Sequence, residues 1–234
     1  MRSPFLIALV ALLIASSLPG FAPQEAAVDG LSDPGPYQYA GWQQVTVTRP
    51  DNSTFTARLY YPAYSNGQGA PYNGSGAPYP ALSFGHGFLT AHTYYQSTLA
   101  HLATWGYFVI ATESGMGLFP NHQEYANDLR HCLTYLEQEN ANPASPYYQD
   151  VDTAHFGLFG HSMGGGASIL ATAADARVRA MATLAAAETN PSAIAQMPNI
   201  QVPVRLIAGD QDGIVDWQQN TLLMYNAGRP ARLR

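Results

Sequence analysis

The sequence predicts an α/β fold: a mostly parallel central sheet with helices on both faces. Three observations carry this. Two strand-like runs near the front are joined by turn residues. From residue 80 onward, short apolar runs alternate with segments of helical spacing. One of those apolar runs passes into a helix through the glycine-rich turn Gly160-His161-Ser162-Met163-Gly164-Gly165-Gly166. Alternation of this kind after an initial hairpin implies parallel strands with crossover helices.

In chain order, Trp42–Thr48 alternates apolar and polar residues and reads as a strand, as does Phe55–Tyr61. Asp51-Asn52 between them is turn chemistry, so the pair reads as a hairpin. Ser65–Ala77 is crowded with Gly, Asn and Pro and reads as an exposed loop. Pro80–Phe84 is a short apolar strand, Tyr94–Trp105 has helical spacing, and Tyr107–Ala111 is a buried-type strand. Glu124–Gln138 is an amphipathic helix with Leu129, Cys132, Leu133 and Leu136 on one face. His155–Phe159 forms the strand before the serine turn, and Ala167–Ala174 the helix after it. Ala180–Ala186 and Val204–Ala208 are further strands, and Gln218–Asn226 a short helix. Nothing repeats at a fixed period, which excludes solenoids.

Composition narrows the class. The chain has 234 residues, 47% apolar and only 11% charged, which suits one large globular domain and not a disordered one. A net charge of −6 argues against nucleic acid and anionic membranes as partners. Residues 1–22 read as a signal peptide: Arg2 precedes an apolar run from Phe5 to Leu18 that is short for a membrane span. Cleavage after Gly20-Phe21-Ala22 competes with cleavage after Ala15-Ser16-Ser17, and an uncleaved anchor is the alternative. Residues 23–36 read as a lead-in, and residues 37–234 as the catalytic domain. The expected protein is secreted and monomeric. Cys132 is the sole cysteine, so no intrachain disulfide forms, and it reads as a packing residue. No H-E-x-x-H spacing appears among the seven histidines, and no metal or cofactor is expected.

The serine turn is the candidate chemistry. Strand, G-x-S-x-G and helix in that order form a nucleophile elbow, which lifts the Ser162 hydroxyl above the sheet edge. A serine needs a base to take its proton and a carboxylate to orient that base. Asp212, after the Val204–Ala208 strand, suits the carboxylate role, with Asp210 as runner-up. The oxyanion formed on attack needs preorganised donors. The backbone N–H groups of Met163 and of Phe88, in Gly85-His86-Gly87-Phe88, are the candidates. His86 itself reads as a residue bracing that loop rather than as a base. One part is missing: in elbows of this kind the order is Ser, acid, His, yet none of the residues after Asp212 is a histidine. The expectation is a sequence that lacks the last strand and helix of its fold together with the base, and that is essentially inactive and poorly stable by itself.

These residues resemble the α/β-hydrolases, and within them the secreted bacterial cutinases and polyethylene terephthalate hydrolases. The chain is also similar to chlorophyllases and dienelactone-hydrolase-like esterases. The resemblance runs from about Gly35 to the C-terminus and rests on Gly160–Gly166, Tyr60-Tyr61-Pro62, His86-Gly87-Phe88 and Leu99–Tyr107. It implies carboxylic-ester hydrolysis, with Ser162 as nucleophile and Asp212 as acid. It implies Phe88 and Met163 as oxyanion donors, and Phe88, Met163 and Ile214 as walls of the acyl site. The substrate is then a small or polymeric ester, without a cofactor. Near Ala187-Glu188-Thr189 the tryptophan of the polyester hydrolases has no counterpart, so the resemblance does not select an aromatic polyester. A fragment that binds without turnover, a chlorophyllase-like or lipase-like esterase, and a peptidase on the same fold are the alternatives.

Overall fold

The structure, a computed structural model, describes residues 30 and 32–228. The signal peptide and most of the lead-in lie outside the described residues. Among the described residues, no helix is long and apolar enough to cross a membrane.

The front hairpin is β1 (Tyr39–Thr48) and β2 (Thr54–Ala63), antiparallel with Trp42 opposite Tyr60. Its turn closes through Asn52, whose N–H donates to Arg49 O at 2.9 Å while its φ is 67°. Asparagine tolerates that left-handed backbone better than most residues. The remaining strands are β3 (Gly67–Gln68), β4 (Tyr79–Gly85), β5 (Phe108–Thr112), β6 (Val151–His161), β7 (Val178–Leu184) and β8 (Val204–Ile207). They form one sheet in the order β3-β1-β2-β5-β4-β6-β7-β8. Only β1–β2 and β2–β5 are antiparallel among its pairings. The helices are α1 (Gln96–Thr104), α2 (His122–Ala141), α3 (Met163–Ala173), α4 (Ala193–Gln196) and α5 (Thr221–Ala227).

Strand alternation sends side chains to two cores. On one face Tyr60, Leu82, Phe84, Val109 and Phe159 pack with Leu99, Leu102 and Ala103 of α1. On the other, Leu59, Phe108, Ile110 and Leu158 pack with α2, through Leu129, Cys132, Leu133 and Leu136, and with Ile169 and Leu170 of α3. Each fully buried leucine or phenylalanine is worth roughly 1.5–3 kcal/mol relative to leaving it in water. Cys132 is a buried free thiol in this second core, as its place on the apolar stripe predicts.

Three details differ from the sequence reading. The Ser65–Ala77 stretch is more than an exposed loop: Gly67–Gln68 adds a short parallel strand to β1, and the chain then folds back. Tyr72 packs edge-on to Tyr147 and stacks on Phe108, while Tyr61 Oη donates to Ala70 O at 3.0 Å. Glycine and proline content registered the bends but not the aromatic anchor between them. Second, α2 starts at His122, because Asn121 caps it by accepting from the Gln123 and Glu124 N–H groups, both at 3.1 Å. Third, α3 starts at Met163 and takes the glycines inside the helix, four residues before the expected start at Ala167.

The entry to β7 is pinned to α2 by an ion cluster. Arg177 Nε and Nη2 donate to the two oxygens of Asp175 at 2.9 and 2.6 Å. The guanidinium also donates to Thr134 at 3.1 Å and to Glu137. Burial pushes the Asp175 carboxyl up, but the Arg177 hydrogen bonds and the charges of Arg177 and Arg130 outweigh it, and the net shift is downward. A carboxylate depressed in the folded state stabilises above its unfolded value, about 3.9, and loses that contribution as pH falls through the folded value. Arg177→Met should therefore cost about 2 kcal/mol at pH 7, less than the roughly 3–5 for a fully buried pair because Arg177 is partly solvated. The deficit should shrink below pH ~4. Urea titrations of both proteins at pH 7 and pH 3.5 check this; an equal deficit at both would contradict it.

Candidate active site

β6 ends at His161 and α3 begins at Met163, so Ser162 alone makes the reversal, at φ 53° and ψ −122°. A side chain in that backbone region costs of order 1–3 kcal/mol and persists only where its surroundings impose it. Here they do. The Ser162 N–H donates to Leu184 O at 2.9 Å, and its carbonyl accepts from the Gly165, Gly166 and Ala187 N–H groups at 2.9, 3.1 and 3.0 Å. The flanking glycines are required by close approach: a Cβ on Gly160 would lie 2.2 Å from Gly164 O, and one on Gly164 would lie 2.1 Å from Gly85 O. The same packing sets the C-terminal end of β4 against the first turn of α3.

That contact brings the loop after β4 beside the serine. Phe88 lies in this loop with its side chain half exposed, whereas the Met163 side chain is buried in the core. Among the described residues, neither the Phe88 nor the Met163 N–H donates to an acceptor within hydrogen-bond distance. For Met163 this follows from its place at the first position of a helix, where N–H groups have no intrahelical partner and the dipole favours negative charge. His86 is fully buried, with its two ring nitrogens 2.9 Å from Gly87 O and 2.7 Å from Ser114 O. Its carbonyl accepts from Tyr125 Oη at 3.1 Å. This is the bracing arrangement, and it leaves the ring no free edge toward the serine.

Asp212 sits on the loop after β8. Its Oδ1 accepts from the Ile214 and Val215 N–H groups at 2.9 and 3.0 Å. Those two bonds, that of Val215 first, hold the carboxyl below its ordinary value, and the His161 charge adds a smaller pull in the same direction. Asp210 is exposed and takes part in neither bond. Ile214 is 94% exposed at the tip of this loop. The His161 ring, next to the serine, is pushed below its ordinary value by burial, and Asp212 pulls it partly back. Four of the remaining rings have partners elsewhere: His92 faces Glu113, His101 pairs with Trp105, His122 accepts from Asn190, and His155 pairs with Asp152.

Two residues near the serine escape sequence reasoning. Tyr95 is not marked out beyond helical spacing, yet its hydroxyl meets both Gly87 N and His161 Nδ1. His161 carries no signal of its proximity to Asp212, which only the fold creates. On the loop after β7, Glu188 is tied to the backbone at Ile194, at 3.0 Å.

A mostly parallel eight-stranded sheet with a strained serine between a central strand and a glycine-rich helix defines a hydrolase of the α/β-hydrolase type. The family model described as "PET hydrolase-like" matches residues 20–231, and the chain belongs to that family. No curated protein matches it.

Proposed function

We propose that the protein is a secreted serine hydrolase of carboxylic esters, of the cutinase and polyester-hydrolase type. The observation that carries the reading is the Ser162 backbone, held in a costly conformation by its hydrogen bonds at the head of a helix that docks on β4 through glycines with no room for a Cβ. Ser162 attacks the ester carbonyl and forms an acyl-enzyme. The free N–H groups of Phe88 and Met163 receive the oxyanion, and Asp212 orients the base. Residues 1–22 are the export signal, and residues 37–234 are the catalytic domain. The family description names a synthetic aromatic polyester. The loop after β7 carries no tryptophan to stack on such a polymer, so the reading is of esters as a class.

A second reading, binding without turnover, is favoured by one observation. Among the described residues, His86, His101, His122, His155 and His161 are hydrogen-bonded to groups other than Ser162 and Asp212. Without a base, the oxyanion donors leave a residual effect of ~10³–10⁴-fold over water. Added imidazole separates the two readings. On p-nitrophenyl butyrate with imidazole present, a serine hydrolase turns the ester over beyond the rate of its Ser162→Ala variant; a pure binding protein does not.

The same assay tests the carboxylate. Asp212→Asn is expected to lower the Ser162-dependent rate, by up to about 10⁴-fold where Asp212 orients a histidine of the protein and by much less where free imidazole is the base. Asp210→Asn should do far less. The reverse ranking would move the role to Asp210.

A further inference from the structure

We propose that Tyr95 is a positioning residue. Its hydroxyl ties the Gly87 N–H of the oxyanion loop to the ring of His161, and it holds that ring as the neutral tautomer with its proton on Nε2. The inference rests on the serine-hydrolase reading above and adds to it a device that sets the two oxyanion donors relative to each other.

The geometry is specific. Gly87 N lies 3.1 Å from Tyr95 Oη, and Tyr95 Oη lies 2.8 Å from His161 Nδ1. A backbone N–H can only donate, so the phenol oxygen accepts from Gly87 and directs its own proton elsewhere. Thr90 also faces the phenol, but its hydroxyl donates to Phe88 O at 3.0 Å. Of the two groups, His161 Nδ1 at 2.8 Å is the one placed at hydrogen-bond distance to take the phenol proton, and we assign the proton there, so that Nδ1 offers a lone pair. The ring proton is then on Nε2. Burial works in the same sense, pushing the imidazole down and the phenol up, so both partners stay neutral near pH 7.

The surroundings leave little freedom. The Tyr95 ring is wedged between Phe84, at a centroid distance of 4.8 Å, and His161, at 5.7 Å. Gly87 leaves little room for a side chain: a Cβ there would lie 3.0 Å from His161 Nδ1 and 3.2 Å from Tyr95 Oη. One hydroxyl thus links the residue before Phe88 to the residue before Ser162. Phe88 and Met163, the two donors, each lie within two residues of the linked atoms. The spacing of oxyanion donors matters at the level of tenths of an ångström, so a link of this kind acts on the transition state more than on substrate binding.

The test uses Tyr95→Phe, which keeps the ring and its packing and removes the oxygen. Two readouts need no turnover. Long-range nitrogen–proton correlation spectra at pH 7 report which His161 nitrogen carries the proton, and amide exchange reports Gly87. The wild type is expected to show the Nε2–H tautomer and a protected Gly87 N–H. The variant is expected to lose the single tautomer and to exchange Gly87 at least tenfold faster while still melting cooperatively. Gly87→Ala, which crowds both atoms, should reproduce the tautomer loss. On p-nitrophenyl butyrate with imidazole, kcat should fall about tenfold with KM within twofold, the pattern of a contact that acts in the transition state. A wild-type ring protonated on Nδ1, or a variant with unchanged tautomer and unchanged Gly87 exchange, would overturn the proposal. Failure of the hydrolase reading shows separately, as turnover indifferent to Ser162→Ala, and leaves the spectroscopic result to decide this one.

Discussion

Gly164→Ala is expected to unfold the protein or to cost more than about 4 kcal/mol, well beyond the usual range for a single substitution. A helix-interior Gly→Ala change ordinarily stabilises by roughly 0.5–1 kcal/mol, so the sign itself is diagnostic. The new Cβ would lie 2.1 Å from Gly85 O and 2.7 Å from His86 O. Those are backbone atoms of a central strand and of a buried loop, and neither can rotate away. Relief would require α3 to lift off β4, which opens the core around Ala167, Ile169 and Leu170. Thermal and urea unfolding of the variant check this. A variant as stable as the wild type would mean that the strand and the helix are farther apart than the geometry states.

Ser162→Ala should remove nearly all of the ester turnover and leave the melting temperature within a few degrees. Alanine suffers the same strain at φ 53° as serine, so the change deletes the nucleophile without relieving the backbone. Ser162→Gly separates the two effects. It should be just as inactive but more stable by about 1 kcal/mol, since glycine adopts this conformation without a Cβ penalty and gives back part of the gain through its unfolded-state entropy. A glycine variant no more stable than the alanine variant would contradict the strain argument.

Much of this architecture was legible in the chain. The order of strands and helices follows from alternating and helical periodicities, and both cores collect the residues those periods point inward, such as Leu129, Cys132, Leu133 and Leu136. The serine elbow was legible because it is local: a strand, a turn too tight for Cβ atoms at Gly160 and Gly164, and a helix. What escaped was tertiary. Tyr72 sits in a stretch rich in turn formers, and its aromatic partners come from four separate segments. Tyr95 and His161 are 66 positions apart, and no periodicity links a helix-entry tyrosine to the last residue of a strand. The glycines that open α3 are unfavourable for a helix by themselves, and their missing side chains are what allow it to dock.

The most direct measurement for the central claim is to map the acyl group. The chain has ten arginines and no lysine, so no lysine competes for an activated ester. The protein is incubated with p-nitrophenyl acetate and imidazole, quenched in acid, digested and analysed by mass spectrometry. The account predicts an acetyl group on the Ser162 peptide, absent from the Ser162→Ala variant. Ester hydrolysis above the variant's rate with no acyl group on Ser162, or an acyl group that forms equally well without Ser162, would contradict it.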